Sequence, residues 1–150
     1  MTTTVAYADL PGAVGTEIGP SSWLEVTQER VNTFADATDD HQWIHVDPEK
    51  AKDGPFGAPI AHGFLTLSLL IPLQTEVFDV DGVTTKVNYG LDKVRFVSPV
   101  KVGDRIRLVG TIADVIEVPG GYQLVVDITI EVEGGTKPAV VARSLSRFYA

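Results

Sequence analysis

The sequence predicts an α+β fold in which a five-stranded antiparallel sheet wraps around a central buried helix. Three observations carry this. From Ile60 the chain reads Ile-Ala-His-Gly-Phe-Leu-Thr-Leu-Ser-Leu-Leu-Ile before Pro72, with apolar residues on every side of a helical wheel. Residues 84–97, 104–118, 122–133 and 138–149 are rich in Val, Ile, Thr, Tyr and Phe, with strand-like alternation from Val125 to Glu133. A shorter run of the same kind, Trp23-Leu24-Glu25-Val26-Thr27, comes before the helix. A helix with no polar face and a curved sheet with one apolar face bury each other if the sheet closes around the helix.

The elements follow in order. Residues 1–20 hold Gly12, Gly15, Gly19 and two prolines, and read as an irregular lead-in. After the strand at 23–27, Thr27 suits an N-cap and Glu29 the first turn of a helix. Val31, Phe34 and Ala35 stand at i, i+3 and i+4 on its apolar face, and Thr38-Asp39-Asp40 end it because such side chains compete for backbone hydrogen bonds. Asp47-Pro48 starts a second short helix, with Pro at its first position, and Gly54-Pro55 stops it. The segment 39–45 between them reads as a loop. For 60–71, length and Leu-rich content favour a buried helix over a strand. Gly63 near its start lets another group approach the unpaired backbone N–H donors of the first turn. Beyond Asp81-Gly82, turns at Ser98-Pro99 with Gly103-Asp104, Pro119-Gly120-Gly121 and Gly134-Gly135 separate the four strands, which predicts an antiparallel meander. There is no internal repeat, low-complexity segment or linker, so residues 1–150 read as one domain.

Bulk properties exclude several classes of function. A formal net charge of -8 argues against a nucleic-acid partner and against an anionic membrane surface. With no cysteine, disulfides, thiolate nucleophiles and thiolate metal sites are excluded. The N-terminus carries no basic region followed by an apolar run, and the longest apolar stretch is too short to span a bilayer. A soluble cytoplasmic protein is expected.

The loop Asp39-Asp40-His41-Gln42-Trp43-Ile44-His45 is the candidate centre of the chemistry. Asp40 and His45 are two proton-transfer groups five residues apart, bracketed by helix boundaries, with Trp43 and Ile44 able to exclude water. Taken alone, such a pair is more often a helix-terminal turn residue and a packed loop histidine. His41 and His45 lie on a loop without an evident third ligand, so no metal site is expected.

These residues carry a resemblance to the MaoC-like hydratases and dehydratases of the hot-dog fold, in particular the (R)-specific enoyl-CoA hydratases. That signature runs from an aromatic residue through Gly-Asp-x-Asn-Pro-(Leu/Ile/Val)-His to a small residue six positions on. Phe34, Asp40, Ile44, His45 and Ala51 match it, whereas Asp39 replaces the Gly and Gln42-Trp43 the Asn-Pro. The family's opening of the central helix, Ala-His-Gly-(Phe/Met), is matched by Ala61-His62-Gly63-Phe64. The segment from Asn88 to Phe96, followed by Pro99-Val100 and Gly103-Asp104, resembles its core strand and turn. The resemblance covers about residue 22 to the C-terminus.

It implies reversible addition of water across C2–C3 of an enoyl thioester, with no cofactor. That reaction needs a placed water, a proton acceptor, a proton source for C2 and donors for the thioester oxygen. Asp40 and His45 are the candidate acid–base pair, and the Gly63 N–H is the candidate oxyanion donor. Ser68 matches a hydroxyl that the family presents near the acid, or else bonds a helix carbonyl. Asn88 and Tyr89 are candidate pocket residues. His62 is expected to cap or pack at the helix start. The substrate is an acyl-CoA or acyl-carrier-protein thioester, with Lys50, Lys52, Lys93, Arg95 and Lys101 as candidate phosphate or acidic-partner contacts. A homodimer joined edge to edge through the sheets is expected. The alternatives are a hot-dog acyl thioesterase and a non-catalytic acyl-thioester-binding module.

Overall fold

Alternation in the second half of the chain and capping in the first produce the elements of the computed structural model, which describes residues 2–150. These are β1 (Thr3–Ala6), a 3-10 helix (Tyr7–Ala13), β2 (Glu17–Ile18), β3 (Leu24–Glu25), α1 (Gln28–Thr38), α2 (Trp43–Val46), α3 (Pro48–Ala51), α4 (Gly63–Ser68), α5 (Leu70–Val77), β4 (Phe78–Asp81), β5 (Thr85–Phe96), β6 (Arg105–Val118), β7 (Gly121–Val132) and β8 (Val140–Tyr149). The four long strands lie where alternation predicts them. Thr27 caps α1 as expected, its hydroxyl accepting the Arg30 N–H at 3.1 Å. The Asp47 side chain likewise accepts the Lys50 N–H ahead of Pro48.

The main sheet runs β2-β6-β7-β8-β5, with β3 also on the β6 edge, and every pairing is antiparallel. This corrects the predicted meander. β6, β7 and β8 are consecutive hairpins, but β5 pairs with β8 rather than with β6. The connection from β5 to β6 is therefore a crossover to the opposite edge of the sheet. Its path is set by bonds to the stretch before the central helix: Ala61 N–H to the Val100 carbonyl at 2.8 Å, and Val102 N–H to the Pro59 carbonyl at 2.9 Å. The lead-in is also more ordered than predicted. β1 pairs in parallel with β4, β2 pairs with β6, and the 3-10 helix buries Leu10 and Ala13. The predicted strand at 23–27 shrinks to Leu24–Glu25.

The central helix departs from expectation in two ways. It begins only at Gly63, and it is two segments with a break at Leu69. Pro72 explains the break, because it has no N–H for the Ser68 carbonyl and its ring crowds that carbonyl. Near the start of α5 the missing donor costs little, so the helix resumes and runs on to Val77. Leu65, Leu69, Leu70, Leu73 and Val77 face the core, where Ile106, Leu108, Ile112, Leu124, Val126, Ile128 and Ile130 of the sheet meet them. Burying each such side chain contributes about 1.5–3 kcal/mol. The helix is not buried all round, however: Phe64 is 68% and Ile71 41% exposed. Beside them runs β5, an edge strand with bulges around Tyr89 and Lys93 and with Val87, Tyr89, Leu91 and Phe96 exposed. No helix among the described residues is long and apolar enough to cross a membrane.

Candidate active site

α1 ends where Asp39 takes the left-handed conformation, φ 62° and ψ 21°. Here the family pattern has Gly; Asp accepts this conformation better than most residues. The chain reverses at Asp39, and the loop is shorter than predicted because His45 lies within the helical turn α2. The His45 backbone is held at both ends, its N–H donating to the Gln42 carbonyl at 3.0 Å and its carbonyl accepting from Gln28 Nε2 at 2.8 Å. Nδ1 lies 2.7 Å from the Ile60 carbonyl oxygen. A carbonyl only accepts, so Nδ1 carries the proton and Nε2 presents its lone pair. The ring is 7% exposed. Burial pushes its pKa below the ordinary 6.5; the Ile60 bond opposes this, His62 adds to it, and Asp40 opposes it.

Asp40 is exposed, and among the described residues its carboxylate is held by a 3.5 Å approach of the Gln42 N–H. Asp40, His45 and His62 each bring one side-chain donor atom within 4.8 Å of the others. His62 is 2% exposed, and its Nε2–H donates to the Asp40 main-chain carbonyl at 2.9 Å. Its ring stacks on His45, with centroids 3.9 Å apart and planes 24° apart, and lies 4.8 Å from the Phe34 ring. His62 thus packs at the helix start as expected, although its side chain makes no cap bond. His62 nevertheless stands within the site, and its place directly before Gly63 is the sequence signal for that. This trio could be considered for a metal, but nearly parallel stacked rings lie in separate planes. Nδ1 of His45 and Nε2 of His62 are also engaged by the Ile60 and Asp40 carbonyls, which leaves one nitrogen on each ring for any further ligand. A hydrogen-bonded water, held at longer range, suits the spacing better.

Gly63 opens α4, where N–H groups have no intrahelical acceptor. A Cβ there would sit 2.7 Å from Cδ2 and 2.8 Å from Cε2 of Phe96, so any larger residue requires that ring to move. Gly63 lines a cleft of about 260 Å³ with Ile60, Thr66, Phe96, Ser98 and Val100. Ser68, Asn88 and Tyr89 line a different groove of about 500 Å³, between the central helix and strands β5 and β8. The structure therefore unites Asp40 with His45 and leaves these three apart from them. The Ser68 hydroxyl donates to the Phe64 carbonyl at 2.8 Å, the second of its two predicted roles. Tyr89 is covered by the Arg147 guanidinium at 3.5 Å from the ring centre. His41 is exposed and bonds Asp36 at 2.9 Å, which raises its pKa. The candidate cations do not gather in one cleft. Lys52 pairs with Glu49, Lys50 sits over Trp43, Lys93 and Arg95 line a groove beside β2, and Lys101 lines another.

Comparisons with known proteins agree with this architecture. The family model described as the MaoC like domain matches residues 9–133. The 3-hydroxyacyl-thioester dehydratase Z of Mycobacterium tuberculosis is 53% identical over 151 residues, covering 100% of both chains. Among solved structures, the monoamine oxidase regulatory protein from Archaeoglobus fulgius superposes with a TM-score of 0.78 at 25% identity, covering 100% of this chain and 99% of that one. The (R)-hydratase of A. caviae involved in PHA biosynthesis gives 0.67 at 26% identity, covering 89% and 94%. The chain belongs to the MaoC-like dehydratase family and has its hot-dog fold.

Proposed function

We propose that this protein is a hydro-lyase acting on acyl thioesters, an (R)-specific enoyl-CoA hydratase or 3-hydroxyacyl-thioester dehydratase. The observation that carries the reading is the approach of the Asp40 carboxylate to an imidazole whose Nδ1 is tied to the Ile60 carbonyl. That bond leaves Nε2 of His45 as a free acceptor, and burial keeps the ring neutral near pH 7. In the hydration direction a water sits between Asp40 and Nε2 of His45. As its oxygen bonds to C3, one of the two takes its proton, the C2–C3 π bond opens, and a proton is delivered to C2. Dehydration runs through the same steps in reverse. General acid–base help of this kind is worth about 10²–10⁴ in rate.

During addition, negative charge moves onto the thioester oxygen. The Gly63 N–H is the donor assigned to it, in the cleft beside Phe96. Ser68, Asn88 and Tyr89 are assigned to the acyl side of the substrate, along the groove flanking α4 and α5. The exposed apolar residues of β5 and the unpaired outer edge of that strand support a homodimer joined through the two β5 edges.

The test is turnover of trans-2-enoyl-CoA by wild type, Asp40→Asn and His45→Gln, following loss of the enoyl-thioester absorbance, free thiol and product chirality. Wild type should give the (R)-3-hydroxyacyl thioester without releasing thiol, and both variants should fold but lose about 10²-fold or more in kcat. Thiol release without hydroxyacyl product would make the protein a thioesterase. Binding without turnover would make it an acyl-thioester-binding module.

A further inference from the structure

We propose that His62 is a positioning residue that holds Asp40, His45 and the start of α4 in one reactive geometry. The proposal rests on the catalytic reading of Asp40 and His45 given above. Three contacts made by one residue support it. Its Nε2–H ties down the Asp40 main chain at 2.9 Å, although among the described residues the Asp40 side chain has only a 3.5 Å contact of its own. Its ring forms one wall of the His45 site, stacked at 3.9 Å. Its backbone precedes Gly63 and accepts the Thr66 N–H at 3.1 Å, so it also sets the first turn of α4. A position needed only for packing would be served by Phe or Leu, yet here a buried Nδ1 has no hydrogen-bond partner among the described residues. The imidazole is kept in spite of that orphan nitrogen, which points to the work of its other nitrogen and its face.

Burial disfavours the charged form of the His45 ring. The titratable groups acting on His45 are Asp40, from the loop after α1, and His62, from the start of α4. His62 shields His45 from water and disfavours its protonation, keeping Nε2 available as an acceptor.

Two variants separate these jobs. His62→Phe keeps the volume and the stacked face but loses the donor to Asp40. The carboxylate should drift by about 1 Å, and kcat should fall about 10²-fold with KM and the acid limb of the kcat/KM profile near wild type. His62→Gln keeps an N–H donor for the Asp40 carbonyl but loses the stacked ring. Water reaches His45, its pKa rises, and the acid limb should move to higher pH. If either variant does not fold, His62→Asn, too short to reach that carbonyl or cover the ring, should show both effects. The role is overturned if the folded variants keep wild-type kcat and an unmoved acid limb while only Tm falls. Asp40→Asn and His45→Gln are assayed alongside. If they also turn over like wild type, the catalytic reading fails and the proposal fails with it. If they lose activity while the His62 variants do not, the positioning role alone is wrong.

Discussion

Gly63→Ala perturbs the candidate oxyanion site with one methyl group, and its effect can be worked from distances. The new Cβ would lie 2.7 Å from Cδ2, 2.8 Å from Cε2 and 3.1 Å from Cγ of Phe96. Ordinary carbon–carbon contacts are about 3.5–4.0 Å, so the ring must retreat by about 1 Å. Phe96 is 48% exposed and has room to swing outward at the cost of a strained rotamer, about 0.5–1.5 kcal/mol. Opposing this is the helix preference for Ala over Gly, at most about 1 kcal/mol and less in a first turn. Stability should therefore change by no more than about 1 kcal/mol, which for a chain of this size moves Tm by about 2–4 °C. Activity should respond far more. A shift of about 1 Å in the groups that seat the thioester costs about 10²-fold in kcat/KM. The assays are thermal unfolding and initial rates of enoyl-thioester hydration. Adding Phe96→Ala makes space for the methyl, so the double variant should recover much of the loss, a non-additive pair. A Gly63→Ala protein with wild-type kcat/KM would refute the assignment of the thioester oxygen to this cleft.

The His45 pKa is depressed from 6.5, so its contribution to stability is complete above that pH and is lost as pH falls through the native value. Urea unfolding of wild type between pH 7 and 5 should show this decline, and His45→Gln should flatten it; an unchanged slope in the variant would place the effect elsewhere. The acid limb of kcat/KM should lie below pH 6.5, since only the neutral ring accepts a proton; a limb above that value contradicts the burial argument. Asp39→Gly relieves a left-handed non-glycine residue outside the reacting groups, and should raise stability by up to about 1 kcal/mol with kcat unchanged. Leu91→Glu on β5 should convert a dimer to a monomer by light scattering; a monomeric wild type would remove the proposed interface.

Local signals were strong enough to read most of the elements. Thr27 and Asp47 cap their helices because a short oxygen-bearing side chain before an orphan N–H has one favourable use. The four long strands follow from alternation of period two, which a helix cannot accommodate. Asp40 and His45 stand out because their spacing matches a known motif, and the fold brings them together. Other features depend on partners that sequence leaves unspecified. Turn residues mark where a strand ends but not which neighbour it joins, so β5 was expected beside β6 and lies beside β8. An apolar helix reports that it needs cover without saying how much the chain itself supplies, and Phe64 and Ile71 remain exposed. The tautomer of His45 is set by a carbonyl fifteen residues away, and the place of His62 by a carbonyl twenty-two residues away. Those bonds exist only once the stretch before α4 packs against the loop after α1. Residue types and local periodicity therefore specify which groups are available, and long-range packing decides which nitrogen faces which oxygen.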